Sequence, residues 1–315
     1  MRLGFPVKIL GQGLLKSHDS RRWQNEPHLS VSLAYLRDIF LYLNRQDIHM
    51  YRLSSDLAPY VSHPTLTRFH GQVGECQREL AQLGDMAREY DVRLSFHLPL
   101  TGVLNALDED VVRQAARQAQ AHAEILDGMG LGPEAVIVSH VGGIYGDRDE
   151  ALARFVQRYQ ALAPLVRRRL ALENDDSRFS VPEILSVHEQ TGIPLVFDLL
   201  HFLNHNPQRI SSMEALEMCL RTWPPGVTPK VHFSSPRTAM RVVDRKGRGE
   251  PILRAPRPDQ HADFIDPFQF LSFVKDVAAR GGRDFDVMLE AKAKDLALLH
   301  LRDQLGRLAP GLAVR

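Results

Sequence analysis

One stretch of the chain, residues 169–198, has the sequence RLALENDDSRFSVPEILSVHEQTGIPLVFD and decides the fold. Its first run, 169–173, is short, apolar and followed by polar residues, which is typical of a buried strand. Residues 181–191 carry apolar side chains at helical spacing, and a Gly-Ile-Pro sequence then ends the helix before a second apolar run at 194–198. A strand, a helix and a strand in this order predict a parallel βαβ unit.

The same alternation continues along the whole chain. Short β-rich runs predict eight strands, at 2–7, 48–53, 92–97, 135–140, 169–173, 194–198, 230–233 and 285–290. Amphipathic segments predict helices at 29–43, 75–90, 110–129, 148–167, 181–191, 213–222 and 268–279. Because no Ser/Gly linker or change of composition divides the chain, we predict a single (β/α)8 TIM barrel over residues 1–315 rather than two doubly wound halves. Residues 234–267 lack periodicity and are predicted to form a long loop after the seventh strand, and residues 300–315 a C-terminal tail.

Composition excludes several classes of protein. With 44% hydrophobic and 24% charged residues, the chain is unlike disordered, collagen-like or low-complexity sequences. No run approaches the roughly 18 apolar residues that span a bilayer, and the N-terminus lacks the apolar core of a signal peptide, so we expect no membrane contact and a cytoplasmic location. Cys76 and Cys219 lack zinc-site spacing and are predicted to be buried thiols. The formal charge of +1 offers no overall argument for a nucleic-acid partner.

The 14 histidines include several that fall at strand ends. Six of the eight predicted strands end in a group that can bind a metal: His97, His140, Glu173, Asp198, His232 and Glu290. Parallel strands of a barrel direct their C-terminal ends to one face, so these side chains are expected to converge on a single mouth. Three more histidines lie in loops that follow such strands: His63, His201 and His261.

A single histidine at a strand end is usually an ordinary hydrogen-bonded residue, but six metal-binding groups at one mouth are not explained in that way. Buried carboxylates gathered in one place repel one another unless cations offset their charge. Imidazoles mixed with carboxylates suit Mn²⁺ or Zn²⁺ better than Mg²⁺ or Ca²⁺. Nine candidate ligands exceed the roughly four that one ion takes. We therefore predict two or three divalent ions, with Glu173 as the bridging carboxylate.

Two loops have compositions that bear on the ligand. Residues 237–257 are strongly basic, so a loop that either is solvated and mobile or contacts phosphates is rooted at the predicted metal mouth. Its charged residues are Arg237, Arg241, Arg245, Lys246, Arg248, Arg254 and Arg257, against Asp244 and Glu250. The glycine-rich segment 142–146 does not match the dinucleotide fingerprint, so no nucleotide cofactor is expected. It would instead allow the backbone to approach a bulky ligand beside His140.

Nine short motifs stand in order along residues 2–294: RLGF at 2–5, SHP at 62–64, RLSFH at 93–97, HVGGIYG at 140–146, LEND at 172–175, DLLH at 198–201, PKVH at 229–232, HADFI at 261–265 and MLEAK at 288–292. In their order and spacing, the chain resembles the UV damage endonucleases, metal-dependent barrel nucleases related in fold to endonuclease IV. This resemblance implies that the same nine residues ligate metal and that Lys230 acts beside them. It also implies incision of DNA on the 5′ side of a UV photoproduct, which leaves a 3′-hydroxyl and a 5′-phosphate.

The chain departs from the family pattern where the family probes the lesion. A Gln-Tyr pair of the family is replaced here by Leu100 and Thr101. Leu100 is expected to act as an apolar wedge, since aliphatic side chains unstack base steps. This change puts the lesion preference, including activity on abasic sites, in question more than the metal chemistry. The expected DNA contacts are Leu100, Thr101, Tyr145, Arg237 and Arg241.

The resulting hypothesis assigns a role to each site residue. The catalytic set is Glu173, Asp198, His232, Glu290 and Lys230. The metal division places Glu173 as the bridge, Asp198, His232 and Glu290 on one ion, His97, His140 and His63 on a second, and His201 and His261 on a third. A monomer acting on damaged double-stranded DNA is expected.

Two other functions are compatible with parts of the sequence. Sugar isomerases and epimerases of the xylose-isomerase type use the same barrel around one or two divalent ions, although they need fewer ligands and no basic loop. A barrel that binds distorted DNA without cutting it is the second alternative, and the altered positions at Leu100 and Thr101 motivate it.

Overall fold

The computed structural model describes residues 1–243 and 250–315, and its centre is a closed barrel of eight parallel strands. Two further strands pair with each other in an antiparallel hairpin. In chain order the strands are β1 (Leu3–Pro6), β2 (Met50–Arg52), β3 (Arg93–His97), β4 (Ile137–Ser139), β5 (Leu170–Glu173), β6 (Leu195–Asp198), β7 (Lys230–Phe233), β8 (Arg241–Val243), β9 (Ile252–Arg254) and β10 (Asp286–Leu289). The predicted (β/α)8 TIM barrel is confirmed, and each barrel strand lies within a predicted range.

The order of the strands decides which residues are neighbours at the mouth. Around the barrel the order is β1, β10, β7, β6, β5, β4, β3 and β2. Every residue of β5 is buried, because helices cover its outer face and side chains fill the barrel interior. The register places His232 beside Asp198 on one side and beside Met288 on the other.

Helices connect the strands and surround the barrel. They are α1 (Leu29–Arg45), α2 (Gln72–Glu75), α3 (Gln77–Glu89), α4 (Glu109–Gly128), α5 (Arg148–Ala161), α6 (Pro164–Arg169), α7 (Val181–Thr191), α8 (Leu199–Asn204), α9 (Ser212–Arg221), α10 (Pro267–Ala279) and α11 (Lys294–Leu308). The single helix predicted at 148–167 is wrong, because Pro164 has no N–H with which to continue α5 and instead begins α6. The short helix α8 was not predicted.

The region after β7 is not the unstructured loop that the sequence predicted. Strands β8 and β9 pair, and a bridge between Pro236 and His261 continues the antiparallel stem toward the barrel. We call residues 236–243 and 252–261 the hairpin arm. Each strand has only three residues, too few to produce a recognisable alternation in the sequence. Residues 244–249 of the predicted basic loop lie outside the described residues, and they include four of its charged residues: Asp244, Arg245, Lys246 and Arg248.

The predicted C-terminal tail is also corrected. Helix α11 continues to Leu308, and its residues Leu301 and Leu305 are buried in the core. Cys76 and Cys219 are buried free thiols, as predicted. None of the helices in the two described ranges has both the length and the apolar character needed to cross a bilayer.

Candidate metal centre

The polar residues at the strand ends gather at one mouth of the barrel. Their positions are His97 at the end of β3, His140 after β4, Glu173 at the end of β5, Asp198 at the end of β6, His232 within β7 and Glu290 after β10. A cavity of about 420 Å³ opens there. It is lined by six of the nine predicted ligands: His97, His140, Glu173, His201, His261 and Glu290. Asp198 and His232 are fully buried.

Glu173 lies at the centre of this arrangement and is only 1% exposed. Its Oε2 is 3.0 Å from His97 Nε2 and 3.4 Å from His140 Nε2. Its Oε1 accepts a hydrogen bond from His232 Nδ1 at 2.7 Å and lies 3.7 Å from His201 Nδ1. Four imidazoles, from the ends of three other strands and from α8, therefore surround the two oxygens of one carboxylate.

Within residues 1–243 and 250–315, three sets of side chains have ligand atoms close enough together to hold a metal ion. They are His97, His140 and Glu173; Glu173, Asp198 and His201; and Asp198, His232 and Glu290. The first and third sets have the composition that we predicted, apart from His63. The second set differs from the prediction, which placed His201 with His261. In the structure His201 lies with Asp198 and Glu173.

The chemistry of the donor atoms fits bound cations. Burial raises the pKa of Asp198 to about 7, against the opposing charge of His201. Asp198 Oδ2 is buried and has no hydrogen-bond partner in the described part of the chain. Burial also lowers the pKa of His232 to about 4, so this ring is the neutral imidazole that ligates metals. Buried oxygens without a partner are costly, and coordination to a cation would remove that cost.

Backbone contacts orient two of the imidazoles. His97 Nδ1 donates to the carbonyl of Leu98 at 2.7 Å, and its Nε2 lies 3.0 Å from Glu173 Oε2. His201 Nδ1 donates to the carbonyl of Asn174 at 3.0 Å. These contacts fix the orientation of both rings before any ion binds.

Two neighbours of the cluster were not foreseen as site residues. Arg52, the last residue of β2, forms an ion pair with Glu290. Asn174 donates from Nδ2 to the carbonyl of Asp198 and accepts the Asp198 N–H, so it holds the backbone of that ligand on both sides. Arg52 lies at the end of a strand, as the ligands do. It was not among the predicted site residues, because those were chosen as metal-binding groups and arginine does not bind metals.

Lys230 is completely buried in the barrel interior, two residues before His232 on β7. Side chains two residues apart on a strand point to the same side, so Lys230 lies one layer below the cluster. Its Nζ donates to Ser95 Oγ at 2.9 Å. Burial, together with the charges of Arg52 and Arg93, lowers the pKa of Lys230 well below its usual range.

The two remaining predicted ligands, His261 and His63, lie in different parts of the molecule. His261 lies at the base of the hairpin arm, with Nδ1 3.8 Å from Glu290 Oε2 and its ring 6.3 Å from that of His201. His63 instead lines a different cavity of about 370 Å³, together with His18. The Nδ1 atom of His63 accepts the backbone N–H of Leu66 at 3.3 Å. His63 is thus in none of the three sets.

The five expected DNA contacts all lie in connections that follow the C-terminal ends of barrel strands. Leu100 is 73% exposed and borders the 420 Å³ cavity, and Thr101 follows it on the surface. Tyr145 is also exposed, and its ring packs on the guanidinium of Arg154 at 5.6 Å. The other two residues belong to the hairpin arm: Arg237 at its base and Arg241 in β8.

Known proteins with similar sequences or folds share this architecture. A UV DNA damage endonuclease from Bacillus velezensis is 34% identical over 290 residues, which is 91% of this chain and 85% of that protein. A crystal structure of SacUVDE superposes with a TM-score of 0.81 at 30% identity, covering 98% of this chain and 99% of the other. Endonuclease IV from Thermus thermophilus superposes with a TM-score of 0.57 at 12% identity, covering 98% of this chain and all of the other, and this likeness concerns the fold alone.

The family model described as UV-endonuclease UvdE matches residues 19–310, which includes every candidate ligand. That range spans most of the barrel and both the hairpin arm and the mouth. The chain therefore belongs to the UV-endonuclease family.

Proposed function

We propose that this protein is a metal-dependent endonuclease that cuts the DNA backbone on the 5′ side of UV photoproducts, leaving a 3′-hydroxyl and a 5′-phosphate. The observation that carries the proposal is the array of imidazoles and carboxylates around Glu173, in a chain whose relatives are named UV DNA damage endonucleases. Abasic sites are a second candidate lesion, because Leu100 and Thr101 stand at the positions that probe the damaged bases.

Two or three divalent ions would be held by this array, with Mn²⁺ as the first expectation and Zn²⁺ as the second. The proposed ligands are His97, His140, Glu173, Asp198, His201, His232, His261 and Glu290, and His63 only if its loop moves toward the mouth. Such ions, when bound, would lower the pKa of water toward neutrality and offset the charge on the leaving oxygen.

The side chains of this protein would contribute orientation and charge. Glu173 holds the ring of His232 by a hydrogen bond, and the carbonyl of Leu98 holds the ring of His97. Arg52 fixes one oxygen of Glu290 by an ion pair. We keep Lys230 in the proposed catalytic set, because it lies directly below the cluster, two residues before His232 on β7.

The duplex would lie across the mouth. We expect Leu100, which is exposed at the rim of the cavity, to insert between bases, with Thr101 beside it. We propose that two further residues contact the DNA backbone on either side of the mouth. They are Tyr145, on the glycine-rich segment, and Arg237, at the base of the hairpin arm. A monomer without a nucleotide cofactor, in the cytoplasm, stays our prediction.

The proposal can be tested with an end-labelled duplex that carries a single pyrimidine dimer, incubated with protein and Mn²⁺. We expect a single nick immediately 5′ to the dimer. Glu173→Gln should lower the nicking rate by roughly a thousandfold, because the substitution removes the shared carboxylate charge from two of the three sets. The matched control is Glu189→Gln on the exposed surface of α7, which should nick as the parent does.

Other outcomes of the same assay would support the alternatives. Retarded but uncut DNA would indicate a barrel that binds damage without incising it. Absence of both binding and nicking would overturn the nuclease proposal and favour a polyol substrate. A duplex with one abasic site, run in parallel, reports whether the lesion range has widened.

A further inference from the structure

The hairpin arm carries a surface that the metal centre does not explain. Strands β8 and β9 pair only with each other among the described residues, and an isolated two-stranded hairpin is marginally stable in water. The base of the arm is nevertheless firmly attached to the mouth. Arg237 N donates to the carbonyl of Gln260 at 2.6 Å, and Ala262 N donates to the carbonyl of Ser235 at 2.8 Å. These bonds lie on either side of His261 and Pro236 in the stem, so the arm starts at the candidate metal centre.

The pairing register creates two different faces on the arm. Arg241 lies directly opposite Arg254, and both side chains are exposed. On the other face Val242 lies opposite Leu253, and these side chains are 70% and 67% exposed. Like charges directly opposite on neighbouring strands destabilise a hairpin, and exposed apolar pairs usually mark a contact surface. A duplex nucleic acid satisfies both faces, because regularly spaced phosphates border grooves with apolar walls.

We propose that the hairpin arm is a second binding surface for duplex DNA, flanking the incision site. Arg241 and Arg254 bind phosphates, and Val242 and Leu253 pack against the wall of the adjoining groove. The inference rests on the proposed nuclease function, because it takes the substrate of the mouth as the occupant of the arm. Charge complementarity and the continuity of the arm with the mouth favour this occupant over a protein partner.

The length of the arm sets the distance of the contact from the cut. Arg241 pairs with Arg254 and Pro236 pairs with His261, so the shorter side of the stem, from Pro236 to Arg241, spans five residue steps. At about 3.3 Å per residue, the stem reaches at most about 17 Å from the metal centre. At about 3.4 Å per base pair, that reach corresponds to about five base pairs of flanking duplex. The protein should therefore need that length of duplex on one side of the lesion.

The first measurement is the affinity for an undamaged fluorescent duplex as a function of salt concentration. Each phosphate contact contributes about 0.9 to the slope of log affinity against log salt. The double variant Arg241→Gln/Arg254→Gln should bind about tenfold more weakly and lower the slope by about 2. The double variant Val242→Ser/Leu253→Ser should weaken binding without changing the slope, because apolar contacts release no counterions.

The second measurement is kcat/KM for nicking of dimer-containing duplexes whose flanks are shortened step by step on each side. For the parent we expect a fall when one flank becomes shorter than about five base pairs. The arginine double variant should start lower and show no such dependence. The matched control Arg221→Gln/Arg307→Gln removes two exposed arginines from the last turns of α9 and α11, at the opposite face of the barrel, and should behave as the parent.

The outcomes separate this inference from the proposed function. A parent-like affinity and salt slope in the arginine double variant, with thermal melts that match the parent, would overturn the arm as a DNA surface. A parent whose kcat/KM is independent of flank length on both sides would do the same. If the parent never nicks damaged duplexes, the nuclease proposal fails instead, and the salt slopes still report on the arm.

Discussion

Asp198 illustrates how one side chain serves both local folding and the candidate metal centre. Its Oδ1 accepts the N–H of His201 at 2.8 Å and so caps the start of α8. Asn174 holds the backbone of the same residue through two hydrogen bonds. A carboxylate restrained in this way has already lost its conformational freedom, so an ion that binds to the remaining oxygen does not have to order it.

His122 is the residue for which the structure makes the clearest prediction about pH. Its ring is fully buried and stacks on Phe96, with centroids 4.0 Å apart. Burial lowers the pKa of His122 to about 4, whereas the unfolded chain has its usual value near 6.5. The folded state therefore binds fewer protons than the unfolded state between these values. The neutral ring of His122 therefore contributes about 3 kcal/mol to the free energy of unfolding above pH 6.5, and this contribution is lost as the pH falls toward 4.

The measurement is the free energy of unfolding from denaturant titrations at several pH values, for the parent and for His122→Gln. We expect the variant to be less stable at pH 7, because the stacking on Phe96 is lost. Between pH 7 and pH 4 the variant should lose about 3 kcal/mol less than the parent. Parallel pH curves for the two proteins would contradict the prediction.

The connections that follow the strands differ according to what they carry. Strand β6 passes directly into α8 without a loop, which places His201 one turn beyond Asp198. Strand β7 is followed instead by the hairpin arm before α10 begins. A direct connection limits the positions that a ligand can take, whereas a long one extends the reach of the protein along a polymer. The two connections thus suit coordination and substrate contact respectively.

Asp266 connects the hairpin arm to the barrel at the start of α10. Its Oδ1 accepts the N–H groups of Phe268 at 2.8 Å and Gln269 at 3.2 Å, and its own N–H donates to Ser235 Oγ. We expect Asp266→Ala to lower the free energy of unfolding by about 1 kcal/mol, because the N-cap is lost. Asp276→Ala, an exposed position in the same helix, is the control and should change it by less than about 0.5 kcal/mol. Equal denaturation curves for the two variants would argue against the cap.

At the scale of the whole molecule, closure of the barrel concentrates negative charge in one place. Glu173, Asp198 and Glu290 come from three strands and meet below the mouth. In the whole sequence these charges are hidden in a formal total of +1, because exposed arginines lie on the hairpin arm, whose base adjoins this centre at His261. A charge total near zero is therefore compatible with an acidic centre beside a basic surface.

Removal of divalent ions should destabilise the protein. An ion present at about one hundred times its dissociation constant stabilises the folded state by about 2.7 kcal/mol, so we expect a chelator to lower the Tm by about 4 °C for each ion that it removes. Adding back Mn²⁺ or Zn²⁺ separately should restore the Tm and identifies the preferred ion. In Glu173→Gln the shift should be much smaller, whereas Glu189→Gln should retain it. A parent whose Tm and bound-metal content are unaffected by the chelator would refute the metal centre.

The sequence by itself determined the barrel, its eight strands and the face on which six of the predicted ligands lie. Those features follow from apolar periodicity, which is a local property, and from the rule that all strands of such a barrel run in the same direction. Only the tertiary structure decided which of these side chains lie next to one another. His232 comes near Glu290 because β7 pairs with β10, Arg52 reaches Glu290 because β2 and β10 both flank β1, and His63 lies in another cavity. The order in which the strands close the barrel, and the pairing of two strands of three residues each, depend on contacts between residues far apart in the chain. Such contacts leave no periodic pattern in the sequence.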